Sequence, residues 1–144
     1  MEEQNYSNHR RLVPLFHGVL LGILVLTLIG SVVNLFESWG DHERIYNASL
    51  ILVLDVCTLM LFFFCRIFAL KAQDRAIRAE ENLRHFAKTG KLLPPGLSVR
   101  QIVALRFASD AEFVALAQRA ASEDMSADAI KRAVKQWRAD TYRV

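Results

Sequence analysis

The chain has 144 residues, of which 53% are hydrophobic and 23% charged, with a formal net charge of +3. Six glycines and three prolines exclude a collagenous chain, and two cysteines are too few for a disulfide scaffold or a multi-cysteine zinc module. The charges are segregated, since residues 12–36 contain no Asp, Glu, Lys or Arg and residues 45–65 contain only Asp55. A single soluble globular domain is therefore excluded, because the residues outside these stretches could build only one small core.

Each apolar stretch is long enough to cross a bilayer. A hydrocarbon core of about 30 Å needs about 20 apolar residues in a helix. Pro14 suits the first turn of such a helix, where its missing N–H is not needed. The length of the first stretch, its acidic start at Glu2 and Glu3 and the lack of an A-x-A site argue against a cleaved signal peptide. We predict transmembrane helix 1 at residues 12–36 and transmembrane helix 2 from residue 47.

The distribution of Lys and Arg predicts the orientation. The connecting residues 37–46 carry three acidic side chains and one basic one, whereas residues 71–91 carry six basic side chains and three acidic ones. The positive-inside rule then places residues 1–11 and the C-terminus in the cytoplasm and residues 37–46 outside. The basic residues expected at the membrane surface are Arg10, Arg11, Arg66, Lys71, Arg75 and Arg78.

Asp55 is the strongest candidate for a functional or structural role among the polar residues of the predicted spans. In an antiparallel hairpin it faces the level of Thr27, Ser31 and Asn34, which share one face of the first helix. One interpretation is a hydrogen-bonded side chain that fixes the hairpin, and the other is a proton-binding or ion-sensing carboxyl in a transport complex. The structural role is favoured because a proton relay needs a series of ionisable partners and the second span offers none nearby.

Gly18 and Gly22 form a G-x-x-x-G pair on the other face of the first helix. Small residues at this spacing let another backbone approach closely. If the polar face packs on the second helix, the glycine face is free for a second copy of the chain or for another membrane protein.

No cofactor is expected. His17 lies one turn inside the first span, but the second span has no histidine to complete a haem site, and Met60 is too far from that level. Four phenylalanines crowd the inner half of the second span: Phe62, Phe63, Phe64 and Phe68. They form either a lipid-facing surface, which is the commoner arrangement, or a slot for a quinone or lipid.

Residues 70–89, called the charged segment below, are predicted to continue the second helix as a cytoplasmic stalk that ends before Gly90. An alanine seam runs along it at alternating steps of three and four: Ala69, Ala72, Ala76, Ala79, Leu83 and Phe86. This is the spacing of a coiled coil. The alternative is that the seam rests on the C-terminal domain. Glu80, Glu81 and His85 are expected on an ordinary solvated face, since zinc needs three or four convergent ligands.

Residues 90–97 are the predicted linker, because Pro94, Pro95 and Gly96 cannot continue a helix. Residues 98–144 are predicted to form a three-helix domain with caps at Ser98, at Ser109 or Asp110, and at Ser126. The predicted helices begin at these caps, and the last one includes residues 127–142. The expected core is Ile102, Leu105, Phe107, Phe113, Leu116, Ala117, Ala120, Ile130, Val134 and Trp137.

The last two predicted helices resemble a helix-turn-helix in outline, which makes a membrane-anchored DNA-binding regulator the alternative hypothesis. The last helix would present Lys131, Arg132, Lys135, Arg138 and Arg143. However, residues 92–144 carry eight basic and six acidic side chains, a small excess for a surface that binds phosphates. Nucleic acid is therefore not the expected partner.

Four stretches together resemble an uncharacterised bacterial family of small two-span inner-membrane proteins: NYSNHRRLVPLFH, LFFFCRIFALKAQDRAIRAEENLRHF, LRFASDAEF and KQWRADTYRV. The resemblance covers nearly the whole chain, and its most distinctive stretch is residues 68–86. The family is a domain of unknown function whose members are sometimes mislabelled as ABC transporter permeases. The resemblance implies architecture and no catalytic residues.

The expected fold is all-α, with a two-helix transmembrane hairpin, a long extension of the second helix and a small C-terminal three-helix domain. No nucleophile and base pair, phosphate-binding glycine loop or nucleotide motif is present in the sequence, so we expect no enzyme. The expected role is a non-catalytic accessory, scaffold or adaptor protein whose partners are the bilayer and either further copies of itself or a larger membrane complex.

Overall fold

The structure, a computed structural model, describes residues 4–8 and 12–140. These residues form a π-helical turn at Leu15–Leu20 and helices α1 (Leu21–Glu37), α2 (His42–Thr89), α3 (Val99–Leu105), α4 (Phe113–Ser122) and α5 (Ala127–Ala133). The predicted all-α class is confirmed for them. The chain divides into two units. The apolar unit is Leu12–Ala69, and the polar unit combines residues 4–8 with residues 70–140 among those described.

A short turn joins α1 to α2. α1 ends at Glu37, and Gly40 adopts a φ of +97° in the turn. α2 begins at His42 rather than at residue 47, because the Asp41 carboxylate accepts hydrogen bonds from the backbone N–H groups of Glu43 and Arg44, each at 3.1 Å. The sequence signal for this cap was an aspartate directly after a turn glycine.

Covered side chains in the apolar unit recur at steps of three and four. On α1 they include Leu21, Leu24, Leu28, Ser31 and Leu35, and on α2 they include Ile45, Ala48, Leu52, Asp55, Leu59, Phe62, Arg66 and Ala69. The ring of Phe16 stacks on the ring of Phe62 with centroids 4.2 Å apart. The other faces of both helices expose large apolar side chains.

The charged segment buries a face that the sequence did not indicate. Ile77, Glu81 and His85 are buried, whereas Leu83 and Phe86 of the alanine seam are exposed. The alternative in which the seam rests on the C-terminal domain is therefore wrong, and so is the prediction that Glu81 and His85 lie on a solvated face. The helix ends at Thr89 as predicted, with Gly90 at a φ of +71°.

Two of the predicted caps in the C-terminal domain are confirmed. Ser98 forms a capping box with Gln101 at the start of α3, and the hydroxyl of Ser126 accepts a hydrogen bond from the backbone N–H of Ala129. The third prediction is wrong, because α4 begins at Phe113 and the Asp110 carboxylate pairs with basic side chains instead of capping.

The last helix is much shorter than predicted. α5 ends at Ala133, and an extended segment follows it. There the Gln136 carbonyl accepts a hydrogen bond from the N–H of Ser109, and the Arg138 N–H donates to the Phe107 carbonyl at 2.7 Å. Lys135 and Arg138 thus lie beyond the helix, so the predicted long basic helix of a helix-turn-helix is not formed.

The core of the polar unit contains every predicted apolar residue, with Trp137 partly buried at its edge. Residues 90–97 interrupt the helices between Thr89 and Val99, and Leu93 and Leu97 of this segment are buried in the same core. Their burial ties the end of α2 to the three short helices.

Candidate functional site

Arg84 is the centre of a charged cluster in the polar unit. Its Nε and Nη2 atoms donate to Asp110 Oδ1 at 2.8 and 2.6 Å, and Nη2 also donates to the carbonyl of Ala108 at 2.8 Å. Its Nη1 donates to Glu81 Oε2 at 3.0 Å. The guanidinium carbon lies 4.2 Å from the centroid of the Phe113 ring, close enough for a cation–π interaction. One side chain from α2 therefore holds the loop before α4.

Other charges surround this arginine. Lys88 Nζ lies 3.1 Å from Asp110 Oδ2, and Arg138 Nη1 lies 3.7 Å from Glu81 Oε1. An open pocket of about 540 Å³ is lined by Glu80, Glu81, Arg84, Ser109, Asp110 and Arg138. Because Glu81 and Asp110 are paired with neighbouring bases, the pocket has the character of a structural ion-pair network.

The hydrogen bonds from Arg84, and next those from Lys88, hold the pKa of Asp110 below the usual 3.8 of an aspartic acid. A carboxyl whose pKa is lowered by folding stabilises the folded state at pH values above its unfolded-state pKa. This stabilisation is lost as the pH falls through the folded-state pKa. We expect Asp110→Asn to lower the urea midpoint of the polar unit at pH 7. The difference from the parent chain should vanish as the pH falls below 3.8 towards the folded pKa. Equal midpoints at pH 7 would contradict the stabilising role of this carboxylate.

His85 is buried next to the cluster. Its Nδ1 atom lies 2.7 Å from the carbonyl oxygen of Lys91, so Nδ1 carries the hydrogen and donates, while Nε2 has no hydrogen-bond partner among the described residues. The ring meets Phe113 edge to face at 6.0 Å. This hydrogen bond joins the end of α2 to the backbone of Lys91.

A contact made by residues 4–8 was not foreseen. The Tyr6 hydroxyl donates to Asp128 Oδ1 at 2.5 Å and accepts from Arg132 at 3.2 Å, and the Asp140 N–H donates to Gln4 at 2.7 Å. The hydrogen bond with Tyr6, and then the charge of Asp128, raise the pKa of Arg132 above its usual value. The polar N-terminal segment has no apolar periodicity, so its residue pattern does not predict this contact.

The polar residues predicted inside the spans do not share hydrogen bonds. Asp55 is half-buried on the covered face of α2, and no hydrogen bond or ion pair among the described residues involves its side chain. Ser31 is buried, but its hydroxyl donates to the carbonyl of Leu28 at 2.9 Å. Thr27 is exposed and also bonds to its own helix, while Asn34 is half-buried. The structure thus places Ser31 and Asp55 on covered faces without joining them.

The glycine face of the first span is open. A Cβ atom added to Gly18 or Gly22 would meet no other atom within 4 Å. A closely packed partner on this face remains a prediction.

The predicted surface cations lie mostly at exposed positions. Lys71, Arg75 and Arg78 are exposed, and Arg66 is half-buried. Arg10 and Arg11 lie outside the described residues. Phe63, Phe64 and Phe68 expose their rings, whereas Phe62 is covered by Phe16.

The described residues contain no group of three His, Cys, Asp or Glu side chains that could hold a metal ion.

The full length of the chain, residues 1–144, matches a family of unknown function, DUF6526. No curated protein and no solved structure matches it. The expectation of a family without an assigned function is thereby confirmed, and no functional residue is transferred from it. The chain belongs to the DUF6526 family.

Proposed function

We propose that this protein is a non-catalytic accessory or adaptor protein of a bacterial inner membrane. The apolar unit forms a helical hairpin in the bilayer, and the polar unit is its cytoplasmic docking domain. The observation that carries the proposal is the surface of the apolar unit, where side chains such as Leu26 and Leu54 are 70% and 67% exposed. Among the described residues, two helices are long and apolar enough to cross a membrane. Monomeric soluble proteins rarely expose so large an apolar surface, which is typical of a membrane or protein interaction site.

The contrast between the units supports the division of labour. The short helices of the polar unit bury an apolar core and cover it with ion pairs, as a domain in water does. The turn at residues 38–41 and the stacking of Phe16 on Phe62 support a hairpin whose two ends emerge on the same side. The excess of basic residues after α2's apolar part favours the cytoplasm for that side.

We expect the full chain to stay in the membrane pellet after extraction with alkaline carbonate. In a chain whose Cys57 and Cys65 are replaced by serine, a membrane-impermeant maleimide should label Trp39→Cys in spheroplasts without permeabilisation. Lys135→Cys is the matched probe, because both positions are exposed in the structure. It should react only after permeabilisation, since the proposal places it in the cytoplasm. Release by carbonate would contradict the anchor, whereas reversed labelling would contradict only the orientation.

A further inference from the structure

The alanine seam is the uncovered face of the charged segment. Leu83 and Phe86 keep 68% and 51% of their surface exposed, and Ala72, Ala76 and Ala79 are exposed as well. At 100° per residue, the centre of the seam lies about 180° around the helix from the centre of the face that buries Ile77, Glu81 and His85. The seam is therefore the side of α2 furthest from the polar unit's own core.

The charges beside the seam specify what fits it. Each heptad of a coiled coil has two core positions. In a parallel coiled coil, the residue that directly precedes the first of them faces a residue on the other helix that lies five positions further along the sequence. Arg75 and Glu80 occupy these two flanking positions. In a parallel pair Arg75 of each copy would face Glu80 of the other, which gives two opposite-charge contacts by symmetry.

No ion pair within the described part of the chain involves Arg75 or Glu80. The next flanking pair towards the C-terminus is Asn82 with Ala87, so it opposes no like charges. Alanine at three successive core positions allows the helices to approach closely, and Leu83 and Phe86 add larger apolar contacts at the end of the seam.

We propose that two copies of this chain form a parallel dimer through the seam residues Ala72 to Phe86 of α2. The parallel direction rests on the proposed function, since two chains anchored in one membrane with the same orientation present this segment in the same direction. The occupant of the seam is thus a second copy of the chain.

Disulfide formation in membrane vesicles that contain the full chain tests the dimer. In the background without native cysteines, Ala79→Cys places a thiol in the seam, and Arg78→Cys places one at an exposed position outside the seam, about 100° around the helix from Ala79. Mild oxidation should convert Ala79→Cys to a product of twice 16.4 kDa at least about tenfold more efficiently than Arg78→Cys, because a disulfide requires closely spaced Cβ atoms. Equal cross-linking at both positions would overturn the proposal, as would a product containing another protein.

Charge reversal identifies the pairing. In the Ala79→Cys chain, Arg75→Glu or Glu80→Arg alone should lower the cross-linked fraction by about fivefold, because each sets like charges against each other. The two changes together should restore it. Failure of the double variant to recover would overturn the parallel pairing. Carbonate extraction of the same vesicles keeps the proposals apart, because a chain that is retained but does not cross-link refutes the dimer and leaves the anchor intact.

Discussion

Replacing Arg84 with alanine is expected to lower the free energy of unfolding of the polar unit by about 3 kcal/mol. The Arg84 side chain is only 11% exposed, and it donates hydrogen bonds to Asp110, Glu81 and the carbonyl of Ala108. Its loss leaves the buried Glu81 carboxylate with Arg138 alone, at 3.7 Å. A buried charge that loses its close partner keeps the full cost of leaving water, and this cost dominates the expected effect.

The measurement is a urea titration of the full chain in detergent micelles, followed by the emission of Trp137. Trp137 packs on Phe107 with ring centroids 4.8 Å apart, and Trp39→Phe removes the other indole. Arg78→Ala is the matched control, because Arg78 is exposed and its change should cost less than about 0.5 kcal/mol. Arg84→Lys should fall between the two, since lysine keeps the charge without the planar fork. Equal losses for Arg84→Ala and Arg78→Ala would refute the central role of Arg84.

Much of the polar unit was predictable from local patterns. Ser98 and Ser126 cap helices because their hydroxyls meet N–H groups three residues ahead, and Gly90 ends α2 because it accepts a positive φ. The predicted core followed from apolar spacing alone. These signals act within one turn of helix, so no tertiary information was needed.

The buried face of the charged segment was not predictable in this way. The seam is the more apolar face of residues 70–89, yet the face that carries Glu81 and His85 is the one that packs. Burial of these two side chains is possible because Arg84 neutralises one and the carbonyl of Lys91 accepts from the other. Arg84 is in turn held by Asp110, which lies 26 residues further along the chain. No local periodicity reports such a contact.

The end of α5 was missed for a related reason. Residues 134–138 contain good helix formers, but their backbone hydrogen bonds with Phe107 and Ser109 hold them in an extended segment. Glu112 adds to this by accepting hydrogen bonds from the N–H groups of Lys135 and Gln136 at 3.1 and 3.0 Å. Tertiary hydrogen bonds therefore override local propensity at this point.

The largest loss is expected for Phe113→Ala, about 4 kcal/mol in the free energy of unfolding of the polar unit. Phe113 is completely buried, and its ring contacts both the Arg84 guanidinium and the His85 ring. Alanine would leave a cavity beneath both groups. The same Trp137 titration measures the loss, and Leu92→Ala, at an exposed leucine, is the control with an expected change below about 0.5 kcal/mol.

A leucine at this position separates volume from the aromatic contribution. Phe113→Leu should cost about 1 to 2 kcal/mol, because most of the apolar volume is kept while the ring face under Arg84 is lost. In the Phe113→Leu chain, Arg84→Ala should then cost about 0.5 to 1 kcal/mol less than in the parent, since the cation–π part has already been removed. Strict additivity of the two changes would show that Arg84 acts on the loop only through its ion pairs and hydrogen bonds. A measured coupling would show that the ring of α4 and the arginine of α2 stabilise the polar unit as one contact.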